Sequence, residues 1–160
     1  MNQVANPVQK AMLSTHGARA AVRLSDEYFL RALRIIAELT GADMVTAIVF
    51  RAVVAGNIGY LEGQESEAAL YADLDTVPPD HLRRPVSILS VSGTLGLPYE
   101  TTRRHVRKLI ASGFCRMERG GVIAPAERLV GPAEEAAILA NLANLRRLFR
   151  GLKRAGVDLE

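Results

Sequence analysis

Two helix-length runs joined by a very short turn constrain the fold of this chain more than any other feature of its sequence. Ser87 is a favourable N-cap for a first, short helix, and Gly96 is a residue type that commonly ends one. The turn Leu97-Pro98 follows, and proline is well suited to the start of the next helix. This second helix is predicted to run from about Tyr99 to Ala111, where Ser112-Gly113 ends it.

A β-hairpin is predicted directly after the second helix. The stretch FCRMERGGVIAP contains two short runs with apolar residues on either side of Gly120-Gly121. Glycine at both central positions is typical of the two-residue turns that join antiparallel strands. Residues 83–126 are therefore expected to form helices followed by a small two-stranded sheet.

The predicted second helix has an apolar side and a basic side. At about 100° per residue, Thr102, Val106 and Leu109 form a stripe that faces the core, and His105 lies at its edge. The opposite side is polar and mostly cationic, with Glu100, Arg104 and Arg107 flanked by Thr101, Arg103 and Lys108. A charged helix face is most often simply solvated. A helix also fits the major groove of DNA, where arginine binds guanine through two hydrogen bonds.

The charge distribution favours the second of these interpretations. The chain carries a net charge of +3, but residues 82–120 hold eight Lys or Arg against two Glu, a local charge of +6. Residues 58–80 hold six Asp or Glu and no Lys or Arg. A polyanion would therefore be attracted to one part of the molecule only, and we expect that part to bind double-stranded DNA.

The segment LGLPYETTRRHVRKLIASGF, with the Gly-Gly hairpin after it, closely resembles the winged helix-turn-helix of bacterial transcription regulators. This broad group includes the GntR, MarR, IclR and Crp-like families, and the resemblance covers about residues 84–126. It implies a mainly α fold with a three-helix core, a β-hairpin wing and additional N- and C-terminal helices. The sequence departs from the usual pattern at Thr102, where valine or isoleucine is common, and at the inward-facing His105.

The resemblance also implies which residues face DNA. Tyr99, Thr101 and Arg103 lie where phosphates are expected, and Arg116 and Arg119 flank the tip of the wing, which touches the DNA backbone or minor groove. The full set of candidate DNA contacts is Ser87, Tyr99, Glu100, Thr101, Arg103, Arg104, Arg107, Lys108, Arg116 and Arg119.

The rest of the chain is predicted to be mainly helical. One helix is expected from Ser25 to Gly41, and another from after Asp43 to about Val54, which is apolar almost all round and therefore central to the core. The expected organisation is a mobile arm at 1–22, an N-terminal helical pair at 23–58, an acidic connecting segment at 59–82, the winged helix-turn-helix at 83–126 and a C-terminal helix at 130–156.

The C-terminal helix contains a heptad-like apolar stripe. Its large apolar residues are spaced by 4, 3, 4 and 3 positions, and they are Ile138, Leu142, Leu145, Phe149 and Leu152. This stripe either packs on Phe29, Leu33 and Ile36 of the chain's own first helix or forms the interface of a homodimer. We favour the homodimer, because a stripe remote from the DNA-binding segment needs a surface to cover it.

Several other functions are not favoured by the sequence. His16, His81, His105 and Cys115 have no metal-ligand spacing, and there is no Gly-rich phosphate loop or nucleophile motif. We therefore expect no enzyme activity, no metal and no cofactor, and a small-molecule effector stays undetermined. Cys115 is expected to pack in the core, with a redox role as the alternative.

The expected location is the cytoplasm. The most apolar run, MVTAIVFRAVVAGNIGYL, is interrupted by Arg51 and by two glycines, so a buried helix explains it better than a membrane span. A single cysteine and the lack of a signal-peptide core at the start of the sequence agree with a reducing compartment. The alternative to a DNA-binding regulator is a winged-helix module that contacts other proteins and not DNA.

Overall fold

The computed structural model describes residues 16–157, so residues 1–15 of the predicted mobile arm lie outside the described part of the chain. Residues 16–157 form six α-helices and one two-stranded antiparallel sheet, which confirms a mainly helical fold with one hairpin. The helices are α1 (Ala18–Thr40), α2 (Met44–Ile58), α3 (Glu65–Leu70), α4 (Ile88–Leu95), α5 (Tyr99–Ala111) and α6 (Pro132–Arg154), and the strands are β1 (Arg116–Glu118) and β2 (Gly121–Ile123).

The chain divides into two compact units. The central unit comprises residues 33–141, and the described part of the terminal unit comprises residues 16–32 and 142–157. The central unit holds α2 to α5 and the hairpin, so it contains all of the candidate DNA contacts.

Helix α2 is the core helix of the central unit. Asp43 caps its N-terminus by accepting a backbone hydrogen bond at 3.0 Å. Val49, Phe50 and Val53 are fully buried, and α4, α5 and β2 pack around the helix. The Phe50 ring meets Phe114 edge to face, with 5.3 Å between the ring centroids. The prediction that this helix is central to the core is confirmed.

The same segment is the one part of residues 16–157 that is long and apolar enough to cross a membrane, at Met44–Gly63. It packs against other elements of the chain along its apolar sides, whereas Arg51 is exposed to solvent. This arrangement is that of a core helix in a globular domain.

Helix α2 ends at Ile58, beyond the predicted end at Val54, because Asn57 has tertiary partners. The buried Asn57 side chain donates to the carbonyls of Arg84 and Val122 at 2.8 and 2.9 Å, and it accepts from the Ala124 amide at 2.9 Å. These bonds dock β2 and the chain around residue 84 onto the last turn of α2. No local sequence pattern predicts contacts between residues so far apart in the chain.

The hairpin turn consists of Arg119-Gly120, not of Gly120-Gly121 as predicted. Both turn residues have positive φ angles, +46° and +78°, as a type I′ turn requires. Gly121 instead begins β2 and lies against residues 85–86, where an added Cβ would come within 2.7 Å of the Pro85 Cβ and 3.0 Å of its carbonyl carbon. Of the two glycines, Gly120 therefore occupies a turn position, and Gly121 allows two backbone segments to approach closely.

The acidic connecting segment is only partly irregular. It contains 3-10 turns at Gly59–Gly63 and Asp80–Leu82, with α3 between them. Helix α3 has only six residues, Glu65–Leu70. Leu61 in the first of these 3-10 turns is buried.

In the terminal unit, α1 and α6 run antiparallel. Leu24 packs on Gly151, where an added Cβ would lie 2.7 Å from the leucine Cδ2. The Asn144 side-chain amide donates to the Tyr28 carbonyl at 2.9 Å. No apolar side chain among residues 16–32 and 142–157 is buried, so the described part of this unit has no hydrophobic core of its own.

Helix α1 is longer than predicted. It begins at Ala18, directly after Gly17 in the left-handed conformation with φ +75°, so Ser25 is an interior residue and not its N-cap. The exposed ion pair between Glu27 and Arg31, at 2.8 Å, has the spacing that supports a helix through this region. Residues 18–22 of the predicted arm therefore belong to α1.

Candidate nucleic-acid interface

Helix α5 is anchored by the stripe that the sequence predicted. Thr102, Val106 and Leu109 are buried almost completely, and His105 is buried at the edge of the stripe. The Thr102 hydroxyl donates to the Pro98 carbonyl at 3.2 Å, so this polar group is paired in the core. Because these side chains fix the rotation of α5 about its axis, the opposite side faces solvent.

A tight connection joins α4 to α5. Ser87 caps α4 by accepting from the Ser90 amide at 3.0 Å, and Gly96 ends the helix with φ +64°. The Ser92 hydroxyl donates to the Leu97 carbonyl at 2.6 Å and closes the turn. These boundaries agree with those expected from the sequence, because local residues set each of them. Ser87, a predicted DNA contact, already acts as a helix cap.

Arg104 and Arg107 are exposed on the outer side of α5. Neither guanidinium has a hydrogen-bond or ion-pair partner within residues 16–157. A shallow depression follows this side of the helix, and it is lined by Glu100, Thr101, Arg103, Arg104, Arg107, Lys108 and Ala111. An unpaired guanidinium can bind an acceptor without first breaking an internal ion pair.

Arg103 is paired with Glu100 on the same helix. Its Nε and one terminal nitrogen donate to a single carboxylate oxygen, at 3.0 and 2.6 Å. Tyr99 is exposed and Thr101 half-buried in the same first turn. The three residues predicted to contact phosphates are thus brought together at the N-terminal end of α5, where backbone N–H groups also favour anions.

A polar cluster of Asp43, Thr46, His105 and Lys108 joins α5 to the start of α2. The Asp43 carboxylate accepts from the Lys108 Nζ at 3.0 Å and from the Thr46 hydroxyl at 2.8 Å. Hydrogen bonds from the Thr46 backbone and hydroxyl, and then from Lys108, hold the pKa of Asp43 well below its ordinary value. Lys108, predicted to contact DNA, is therefore drawn towards α2.

The same cluster determines the protonation of His105. A carboxylate only accepts, so the Thr46 hydroxyl proton is used by Asp43, and the His105 Nδ1 at 2.7 Å must be the donor to the hydroxyl oxygen. Burial lowers the pKa of His105, and the cations of Lys108 and Arg104 lower it further against the opposing effect of Asp43. His105 is therefore neutral near pH 7, with its proton on Nδ1.

The two hairpin arginines are held by carboxylates. Arg116 donates to Asp80 at 2.8 Å and to Glu118 at 3.0 Å, while Arg119 donates to Glu118 at 3.2 Å. Asp80 also accepts from the Ala126 amide at 2.7 Å, and this bond is the main reason that the pKa of Asp80 is lowered. The hydrogen bonds to Asp80 and Glu118 raise the pKa of Arg116. Both arginines are exposed, but their charge is largely compensated.

Two further cations of the basic segment also have partners within the chain, and of these Arg83 is buried whereas Arg84 is exposed. Arg83 is only 1% exposed; it donates to the Pro78 carbonyl at 2.9 Å and lies 3.7 Å from Asp80. Desolvation lowers the pKa of Arg83. The Arg84 guanidinium lies over the Tyr60 ring, 3.6 Å from its centroid. The available positive surface is therefore smaller than the local charge of +6 implied.

The predicted contacts thus comprise two unpaired arginines, five charged side chains that have partners, and the polar residues Ser87, Tyr99 and Thr101. The chain has no significant match among family models, curated proteins or solved structures. The chemistry of these side chains is therefore the basis for a functional assignment.

Sequence reasoning missed three residues that organise this surface. Asp43 holds Lys108, Asp80 holds Arg116 and Asn57 docks the hairpin. Asp43 stands before an apolar helical run, so its capping role was visible in the sequence. The hydrogen-bond partners of the Asp80 and Asn57 side chains lie 27 to 67 residues away, and composition gave no indication of them.

The remaining reactive groups do not form a second site in the described residues. Cys115 is buried, and burial raises the pKa of its thiol to about 12, which favours packing over a redox role. No group of three or more His, Cys, Asp or Glu side chains within residues 16–157 has the arrangement of a metal site.

Proposed function

We propose that α2, α4, α5 and the hairpin form a winged helix-turn-helix, and that the chain is a sequence-specific, duplex DNA-binding transcription regulator. The order of elements supports this: α4, a two-residue turn after Gly96, α5 as the recognition helix, and a β-hairpin in the position of the wing. Buried side chains of α2 supply the third helix of the core.

The observation that carries the proposal is the pair Arg104 and Arg107 on the outer side of α5. They are exposed, separated by three positions and without an internal partner in residues 16–157, while the opposite side of the helix is buried. An α-helix in the major groove presents such side chains to base edges, where arginine recognises the O6 and N7 acceptors of guanine. We therefore assign base readout to these two residues.

The polar residues and the ion-paired arginines have a different role in the proposal. Tyr99, Thr101 and Arg103 at the start of α5, with Ser87 at the start of α4, contact phosphates and fix the position of the helix. Arg116 and Arg119 of the wing contact the DNA backbone after exchanging Asp80 and Glu118 for phosphate oxygens. These contacts increase the affinity for every DNA sequence. Arg104 and Arg107 provide the preference for particular DNA sequences.

The proposed regulator acts in the cytoplasm as a homodimer and performs no chemical step. Two-fold symmetry suits such a function, because two recognition helices then meet two half-sites of one duplex. Ile138, Leu142, Leu145, Phe149 and Leu152 are the candidate dimer residues of α6.

The test is a selection of bound fragments from a random duplex pool with the purified chain, followed by binding measurements at several salt concentrations. We expect an enriched sequence and a log K that falls linearly with log salt. Duplex binding that is absent at low salt would contradict the proposal and would favour the alternative, a winged-helix module for protein contacts.

A further inference from the structure

Helix α6 leaves most of its apolar stripe uncovered. Ile138 is 44% exposed, Leu142 40% and Phe149 55%, and Leu145 and Leu152 are half-buried. Within the terminal unit, the side of α6 that packs on α1 instead carries the polar Asn144 and the small Gly151. Packing on the chain's own first helix, one of the two interpretations left open by the sequence, therefore leaves Ile138, Leu142 and Phe149 exposed.

Exposure on this scale is unusual for a monomer. Helix α1 adds three apolar side chains that are more than half exposed, Val22, Phe29 and Leu30, and α6 adds Leu139. Two helices without a buried apolar side chain among residues 16–32 and 142–157 do not form a stable layered structure alone. A stable protein interface buries about 800 Å² on each partner, and four large side chains of α6 and three of α1 are each at least 40% exposed.

The charges of α6 are separated along its length. Glu134 and Glu135 lie in its first turn, whereas its C-terminal part carries no acidic residue and five basic ones: Arg146, Arg147, Arg150, Lys153 and Arg154. A parallel copy of this helix would place like charges beside each other. An antiparallel copy places the acidic end beside the basic end and also opposes the helix dipoles favourably.

We propose that a second copy of this chain docks on α6 in antiparallel orientation and forms a two-fold dimer. In one register of this pair, Leu142 lies opposite Leu145 of the second copy, and Ile138 lies opposite Phe149 of the second copy. Glu135 then lies opposite Leu152 of the second copy, within reach of its Lys153.

The charges select this register over the neighbouring one. A shift by one heptad also pairs four large apolar side chains, but it places Ile138 opposite Gly156 of the second copy. It also moves Glu135 beyond the last turn of the partner helix, which ends at Arg154. The apolar and ionic contacts therefore agree only in the first register.

The inference rests on the proposed function only for the arrangement of the dimer on DNA. The dimer itself is tested without DNA. In a Cys115→Ala background, the pair Ile138→Cys and Phe149→Cys is expected to form a covalent dimer under mild oxidation, seen on a non-reducing gel. Each single cysteine variant is the control and should remain largely uncrosslinked, because identical positions lie far apart in an antiparallel pair. Rapid crosslinking of the single variants would indicate a parallel pair and overturn the proposal.

Charge reversal tests the register independently. Glu135→Lys and Lys153→Glu should each raise the dimer dissociation constant several-fold in sedimentation equilibrium, and the double variant should recover most of the loss. Both residues are exposed, so circular dichroism should show an unchanged fold. Unequal effects without recovery would overturn the register.

A monomeric wild-type chain at about 50 µM would overturn the dimer altogether. Co-sedimentation of such a monomer with phosphatidylserine vesicles would instead assign the basic, apolar α6 to a membrane surface. A dimer that does not bind DNA would contradict only the proposed function, so the two failures are distinguishable.

Discussion

At the scale of single residues, the basic side chains of the central unit differ in whether a carboxylate already holds them. Arg103, Lys108 and Arg116 have acidic partners at 3.0 Å or closer, whereas Arg104 and Arg107 have none within residues 16–157. Sequence reasoning identified the basic positions but not the partners of Lys108 and Arg116, since Asp43 and Asp80 lie 65 and 36 residues away from them. Because an exposed ion pair contributes little stability, replacing its carboxylate by a DNA phosphate costs little free energy.

Cys115 gives a first prediction at this scale. Because burial raises the pKa of its thiol to about 12, the reactive thiolate is scarce at pH 8. We expect labelling by iodoacetamide at pH 8 to be slower than in the urea-unfolded chain by a factor of 100 or more, on the order of the difference in thiolate fraction. Mass spectrometry of the alkylated protein measures both rates. Equal rates would contradict the buried assignment and revive a redox role.

The cluster of His105 and Asp43 gives a prediction about pH. The pKa of each is lowered in the folded chain, so the unfolded chain binds more protons as the pH falls. The contribution of His105 is complete above its unfolded pKa of about 6.5 and is lost below it, and that of Asp43 is lost below about pH 4. Urea unfolding should therefore give a free energy that decreases from pH 7.5 to pH 5.

The control for this prediction is His105→Gln, which removes the titrating ring. Its unfolding free energy should be lower at pH 7.5 but should change less between pH 7.5 and pH 5. A wild-type free energy that is constant over this range would be incompatible with a neutral, buried His105.

At the scale of elements, sequence predicted those boundaries that local chemistry determines. The bounds of α4 and α5 follow from the Ser87 cap and the Gly96 stop, and the apolar stripe of α5 is buried as expected. The extension of α2 and the shift of the hairpin turn follow from tertiary contacts of Asn57 and Gly121, which no window of neighbouring residues reveals. The core of the site was therefore predictable, and its ion pairs between distant residues were not.

The ion pair between Asp80 and Arg116 gives a prediction about the wing. Asp80→Asn keeps an oxygen acceptor for the Ala126 amide but removes the charge that holds Arg116. We expect tighter binding to all duplex sequences by a few-fold and a steeper dependence of log K on log salt. Arg116→Ala should have the opposite effect, flattening the slope by about one for each phosphate that the wing no longer neutralises.

Glu127→Gln is the matched control for Asp80→Asn, because Glu127 is an exposed acidic residue without a contact to Arg116. Fluorescence anisotropy with two unrelated duplexes measures the slopes. Identical slopes for the wild type, Asp80→Asn and Arg116→Ala would show that the wing does not touch the DNA backbone.

At the scale of the whole molecule, the proposed dimer constrains the DNA site. A two-fold dimer whose recognition helices enter successive major grooves requires them to be about 34 to 36 Å apart. The selected sequences should therefore contain an inverted repeat with half-site centres about 10 bp apart. Inserting about five base pairs between the half-sites should place them on opposite sides of the duplex and weaken binding strongly. Equal affinity for an isolated half-site would contradict a dimeric regulator.

The central claim is that Arg104 and Arg107 on α5 read DNA bases, and binding of a selected duplex by two single variants tests it most directly. Arg104→Ala and Arg107→Ala should each cost about 1 to 3 kcal/mol on the selected sequence and reduce the preference over a scrambled duplex. Arg34→Ala, at an exposed arginine of α1 outside the site, is the control and should bind as the wild type does. Unchanged affinity and preference in both α5 variants would contradict the assignment of α5 as the recognition helix.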